Sequence, residues 1–440
     1  MSASRLSSLL IVCCMTALAQ AQEAERTTGL PKKGDWTFNF DAGAGAFGFD
    51  NSLYTDLKPD PSGNLSDNWV ETYIKPALSA DIGLQGGSAL FGKLSAVGER
   101  TFSAPPTLVG ESASSLLAED AYLGWRSGTS MEIGEDALEI MAGRAPYKIG
   151  HGFLLWDGAS DGGSRGGFWS GPRKAWELAG IGRFKAKGNT LEAFYVDRDE
   201  LDDSDTDSKF WGANYELALG ENTTLGVSYI KAESGTLPLR DGMDVYDARA
   251  FTAPLNALPG LSFELEYAQE ENGDALSAAG WTAQVAYTLE KVGWTPQLSY
   301  RYAFFEGDDP ATPESEAFDS LYPGFYDWGS WWQGEIVGEY FLSNSNLISH
   351  QVRLHLKPSE SIGAGLIGYQ FTLDQPTTFA PGVTSDDFAA EIDGYVDWKI
   401  NGNFTASFVL AYAEPHEAIE QGFQRTDAFT YGMVYLAYAF

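Results

Sequence analysis

Six basic side chains, Lys93, Arg126, Arg144, Arg183, Arg301 and Arg353, fall on the polar phase of segments in which polar and apolar residues alternate. A guanidinium grips a carboxylate through two parallel hydrogen bonds, so bases repeated along one face make a track for acidic solutes. The same phase holds Lys75, Arg198, His355 and Lys399. It also holds Asp81, Asp120, Asp197, Glu264, Glu266, Glu391, Asp393 and Asp397. The competing reading is therefore that bases and acids neutralise one another across adjacent strands.

Other chemistry is thinner. Gly162-Gly163-Ser164-Arg165-Gly166 fits the G-x-S-x-G spacing of a nucleophile elbow, but its surroundings do not read as strand, turn and helix. His151, His350, His355 and His416 show no metal-ligand spacing. Asp203-x-Asp205-x-Asp207 begins like a calcium loop, yet Ser208 stands where that loop needs Gly and Asn214 where it needs Glu. No enzymatic activity, resident metal or cofactor is expected. Acid crowds 199–207 and 306–319, where solvation is favoured over binding of divalent cations shared with lipopolysaccharide. The cluster Tyr326-Asp327-Trp328-Gly329-Ser330-Trp331-Trp332 could stack on sugar rings, although interfacial anchoring is the commoner use of clustered Trp and Tyr.

The elements that must position these residues are strands. In the last stretch Phe440, Tyr438, Leu436, Val434 and Gly432 fall on one side, with Ala439, Ala437, Tyr435, Met433 and Tyr431 on the other. An unpaired aromatic strand invites edge-to-edge aggregation, and closing a barrel removes the edge. The same alternation runs through 36–46 and 70–84, and most cleanly through 261–267, 281–289 and 294–304. Further strands are expected at 88–99, 115–127, 137–146, 174–185, 189–198, 209–218, 223–232 and 243–253, then at 346–357, 361–374, 389–400 and 403–414. Tight polar turns at Lys185–Asn189, Gly220–Thr223, Glu290–Gly293, Lys357–Ser361 and Asn401–Gly402 mark the periplasmic side. The long segments 49–69, 146–173, 199–208, 306–345 and 374–388 become extracellular loops. Glu335–Phe341 looks like a nineteenth strand. A C-terminus on the periplasmic side allows only one connection between 293–305 and 346–357, which places 333–342 in the loop or in a short rim helix. The expected architecture is an all-β transmembrane antiparallel barrel of 18 strands, with 16 as the alternative.

Composition fits. Aromatics make up 14% of the chain, with 49 Gly, 13 Trp and 21 Tyr, and no apolar run approaches the ~18 residues of a membrane helix. A large soluble secreted all-β protein is the bland alternative. Arg5 and the apolar run Leu9–Leu18, followed by Ala19 and Ala21, read as a secretory signal over residues 1–21, with the barrel at 22–440. Both cysteines, Cys13 and Cys14, lie inside it, so neither disulfides nor thiol chemistry is expected afterwards. Losing Arg5 and no acid takes the net charge from −33 to about −34.

Two stretches resemble the alginate export family of outer-membrane porins. One runs from Gly143-Arg144 through Gly150-His151-Gly152-Phe153-Leu154-Leu155-Trp156-Asp157. The other runs from Phe318-Asp319-Ser320-Leu321-Tyr322 through Trp328, Gln333-Gly334-Glu335 and Asn344-Ser345-Asn346-Leu347 to Arg353 and Lys357-Pro358. The resemblance implies a monomeric 18-stranded barrel in the outer membrane, whose basic lumen passes an anionic polysaccharide. A uronate polymer carries one carboxylate per sugar, which the six basic residues would guide, while loops 146–173 and 306–345 would constrict or gate. Export would need a periplasmic delivery protein, because a porin has no energy source. Lipopolysaccharide is the expected surroundings, and no nucleic-acid partner is expected. An uptake porin for small acidic solutes or sugars is the alternative, and an outer-membrane enzyme or adhesin built on the long loops is a third reading.

Overall fold

The computed structural model describes residues 36–51, 66–103, 113–220, 222–252, 259–324 and 333–440. The signal segment and the Tyr326–Trp332 cluster lie outside them. Eighteen strands form one sheet: β1 (Trp36–Asp50), β2 (Ser66–Gly83), β3 (Ala89–Phe102), β4 (Ala113–Arg126), β5 (Leu138–Pro146), β6 (Ala175–Ala186), β7 (Asn189–Asp197), β8 (Lys209–Leu219) and β9 (Thr223–Glu233) make the first half. The second half is β10 (Asp244–Thr252), β11 (Leu261–Glu271), β12 (Ser277–Thr288), β13 (Gln297–Phe305), β14 (Leu347–Ser359), β15 (Ile362–Thr372), β16 (Asp387–Lys399), β17 (Phe404–Pro415) and β18 (Phe429–Ala439). Each strand pairs antiparallel with its sequence neighbours, and β1 pairs with both β2 and β18, so the sheet closes. At the seam Phe40 and Phe440 exchange backbone hydrogen bonds of 3.1 and 3.0 Å. Closure satisfies every ladder group without water, which a strand in hydrocarbon requires.

Period-two alternation sorts side chains between lipid and lumen. Leu116, Leu410, Leu123 and Leu94 face out, while Glu71, Asp81, Asp120 and Asp393 are buried inside. Trp211, Tyr229 and Tyr246 form a run of touching rings near the long-loop end, and Trp36, Trp294 and Trp398 are exposed near the other, as interfacial girdles should be. The five tight turns lie at one end and the five long loops at the other, as the turn lengths predict. Parity also holds, for 333–342 is not a strand: Gly334–Phe341 forms a short π-helix inside the 306–346 loop. It packs against the inner wall rather than the rim.

Asp197 departs from expectation. It follows Leu191, Ala193 and Tyr195 on the outward phase of β7, opposite Lys209 in register, while Val196 and Phe194 point inward. At the strand's end the outward face meets water and headgroups, where an acid and a lysine can pair without entering hydrocarbon.

Candidate functional site: the lumen and the loop that crosses it

The six basic residues all face the interior, in two groups. Lys93 (β3), Arg126 (β4), Arg144 (β5) and Arg183 (β6) form one; Arg301 (β13) and Arg353 (β14) form the other. β4 and β13 are nine strands apart in a ring of eighteen, so the groups confront each other across the lumen. The first group is neutralised locally. Lys93 lies 3.0 Å from Asp120, Arg126 bonds Asp81, Arg183 bonds Glu192 at 2.6 Å and Glu139 at 2.8 Å, and Arg144 bonds Asp199. Arg144 reaches that loop residue past a register shift at Gly143, whose φ of +128° favours glycine. Arg353 is held differently. Arg353 donates from Nε and Nη2 to Tyr395 Oη at 3.3 and 3.2 Å, and that oxygen also meets His355 Nδ1 at 2.7 Å. Arg301, 2% exposed, lies one register step away, opposite Gln351, while Arg353 stands opposite Ser299.

The loop 147–174 crosses the interior between these walls. On the β2–β4 side, Glu71 accepts hydrogen bonds from Trp169 N (3.0 Å), Ser170 N (2.8 Å), Ser170 Oγ (2.9 Å) and Trp69 Nε1 (3.0 Å). Gly167 N donates to Thr101 Oγ1, Lys75 Nζ to Pro172 O, and Lys174 N and Ala175 N to Glu119. On the far side the His151 ring stacks on Phe251 of β10 at 3.8 Å and 5°, and Phe153 packs on Phe305 of β13. A Cβ on Gly150 (φ +54°) would sit 2.8 Å from the Arg249 side chain, so this approach needs glycine. The loop also pairs with the 306–346 loop, Leu155 bridging Tyr322 in parallel.

Asp199 ties the loops together, accepting from Arg144, Arg173 and, at 3.0 Å, Arg165. Burial alone would raise its carboxyl, but those guanidinium groups outweigh burial and hold it below its usual range. Tyr322 is a second tie: its hydroxyl donates to Glu200 at 2.9 Å and accepts from Arg240 at 2.8 Å, with the Arg198 guanidinium 3.7 Å over the ring. The π-helix lies against β16–β18. Glu391 Oε1 and Oε2 accept from Ile336 N (2.8 Å) and Val337 N (2.9 Å), supplying partners for helix-start donors that otherwise go unmet. Tyr340 from the same helix packs on Phe49 of β1 and Trp169 of the crossing loop.

Gly162–Gly166 is a tight turn closed by Gly162 N to Gly166 O at 2.8 Å, with Ser164 exposed. Sequence reasoning missed Arg249, whose buried guanidinium meets Asp247, Glu216, Asn214 and Ser228. Its signal was present, since Tyr246, Ala248 and Ala250 alternate with Val245, Asp247 and Arg249. It missed Arg173 and Arg165 too, because periodicity says nothing about side chains in loops.

The sequence profile of the alginate export family matches residues 126–402, more than half of the chain. Among curated proteins no relative matches. The fold is similar to solved Pseudomonas aeruginosa structures. OccK11 (OpdR) gives a TM-score of 0.60 at 12% identity over 93% of this chain and 98% of that one. OccK5 (OpdH) gives 0.56 at 12% over 92% and 98%, and OpdK, solved with vanillate, also gives 0.56 at 12% over 92% and 98%. The closed barrel, its apolar outer belt and the family match place the protein in the outer membrane as a porin-like channel. Both resembling stretches lie inside the matched span, and the chain belongs to the alginate export family.

Proposed function

We propose that this channel passes an anionic polysaccharide or oligosaccharide of the alginate type, in the export direction, handed on by a periplasmic delivery partner. Lys93, Arg126, Arg144, Arg183, Arg301 and Arg353 would guide its carboxylates. The observation that carries the reading is Arg353: it is buried in the lumen wall, and among the described residues its hydrogen bonds go to Tyr395 rather than to a carboxylate. A guanidinium held by a phenol keeps its charge for a passing acid, whereas one clamped by two carboxylates does not. Family membership points the same way. The test is single-channel conductance in planar bilayers, with reversal potential for ion selectivity and titration with oligouronates. Anion selectivity with block by oligouronates is expected. A cation-selective pore indifferent to them would overturn the polysaccharide reading.

A second reading, uptake of small acidic solutes or sugars, is favoured by the crossing loop and the π-helix, which pack against each other and the inner wall within the barrel. The similar OpdK was solved with vanillate, a small aromatic carboxylate. Currents blocked by monomeric acids but not by oligomers would favour it.

A further inference from the structure

The crossing loop carries a half-enclosed cavity of about 160 Å³ that the basic residues of the lumen wall do not line. Its lining includes Phe168 and Trp169 together with Asp157, Asp161, Lys174 and Arg198. We infer that this cavity is a binding subsite for a single sugar-acid ring, seated on Trp169 and held through its carboxylate by Lys174 and Arg198. The inference rests on the acidic-saccharide reading above and adds a station outside the Arg301–Arg353 wall.

Three features support it. The first is chemistry: a flat aromatic face suits the C–H face of a pyranose, two cations suit one carboxylate, and carboxyl oxygens suit the ring hydroxyls. The second is that both cations are held in place before any guest arrives. Asp157 accepts from Lys174 Nζ at 2.7 Å on Oδ1 and from Arg198 Nη2 at 3.3 Å on Oδ2, while its own carbonyl accepts Arg198 Nε at 3.1 Å. The Tyr322 ring backs the guanidinium at 3.7 Å. Positioning of this kind lowers the ordering cost of binding. The third is charge. Burial first, then the Glu99 carboxyl, pushes Asp161 well above the usual carboxylate range. Lys174 stays charged, because Asp157 and Asp161 outweigh the burial that lowers it. The volume is equivalent to roughly five waters at ~30 Å³ each, enough for one ring but not for an oligomer.

The test uses the full chain in detergent and calorimetric titration with monomeric hexuronate, with the neutral hexose as control. Wild type should bind the acid and not the hexose. Lys174→Gln and Arg198→Gln should each weaken binding about tenfold, the loss of one charge-assisted contact, while Lys209→Gln, on the outward face at the start of β8, should leave it unchanged. Trp169→Ala should weaken it as well, but Trp169 also anchors the loop, so the Gln variants decide. Folding is checked by the mobility difference between heated and unheated protein on a denaturing gel. Failure of wild type to bind the monomer, while oligouronates still block the current, would overturn the subsite and leave the channel reading standing. Binding lost in the Arg301/Arg353 variant and kept in Lys174→Gln would move the site to the lumen wall and also overturn it. Equal binding of the neutral hexose would refute carboxylate recognition.

Discussion

Replacing Glu71 by Ala should release the crossing loop from the β2 wall and raise conductance. Glu71 is fully buried and accepts four hydrogen bonds, three of them from Trp169 and Ser170 in the loop. Bonds to a buried carboxylate contribute about 1.5 kcal/mol each, so the three loop bonds give about 4.5 kcal/mol before entropy. Thr101 and Glu119 still hold the loop at Gly167 and at Lys174 and Ala175, so only the short span between them is freed. Freeing the two residues that lose these bonds, Trp169 and Ser170, returns about 3 kcal/mol. The net is about 1.5 kcal/mol, a shift of about tenfold toward the undocked loop. The scaffold should hold, because eighteen paired strands do not depend on Glu71. Glu71→Gln keeps the shape but turns an amide NH2 toward backbone donors, so it should fall between Ala and wild type. Single-channel recording should show larger, noisier openings in Glu71→Ala, and limited proteolysis should cut within 147–174. A correctly folded Glu71→Ala protein with wild-type conductance and a protected loop would refute the idea that this carboxylate docks the loop across the lumen.

Three further outcomes follow from the same contacts. Arg301→Ala combined with Arg353→Ala should weaken oligouronate block about tenfold or more and move the reversal potential toward cation selectivity; unchanged block would remove the basic wall from the conduction path. Arg249→Ala strands the buried Asp247 carboxylate and should destabilise the barrel by about 3–5 kcal/mol, read as a lower temperature for loss of the compact gel band, with Arg249→Lys costing less. Burial, reinforced by the Glu391 carboxyl, pushes Glu339 on the π-helix from its ordinary 4.5 up to about 8. The packed helix therefore holds a proton that the unpacked segment gives up. Its contribution is full below the ordinary value and lost as pH rises through about 8. Current noise should grow between pH about 4.5 and about 8 in wild type and stay flat in Glu339→Gln.

The barrel was legible because its signal is local. Alternation in Leu261–Tyr267 or Gly432–Phe440 needs no partner to be read, and parity converts turn lengths into topology, which is why 333–342 was kept out of the strand count. Asp197 failed where local pattern and residue type disagree: an acid was placed inward although Leu191, Ala193 and Tyr195 set the outward phase. The crossing of loop 147–174 was beyond reach, since alternation gives a side chain's face and not the residue it meets. His151 meets Phe251 and Trp169 N meets Glu71, each about a hundred positions away in sequence. Phase alone put six bases inside the barrel; which strand carboxylates neutralise Lys93, Arg126 and Arg183 depends on how the strands align, and Arg144 finds its partner Asp199 in a loop.

A polymer and a small acid make different demands on this interior. The crossing loop is held by carboxylate-to-amide bonds at the β2–β4 wall and by ring stacking at β10 and β13. The first kind is directional and is lost once its geometry fails. The second is non-directional and tolerates sliding. A guest that must widen the passage would therefore shift the loop at its aromatic end, toward Arg301 and Arg353, and leave the Glu71 end docked. Under that account Glu71→Ala raises the current for small ions more than it raises passage of oligouronates, whereas Phe251→Ala, which frees the end beside the basic wall, does the reverse. Equal effects of the two variants on both solutes would mean the loop moves as one body, and the distinction between its anchors would carry no functional weight.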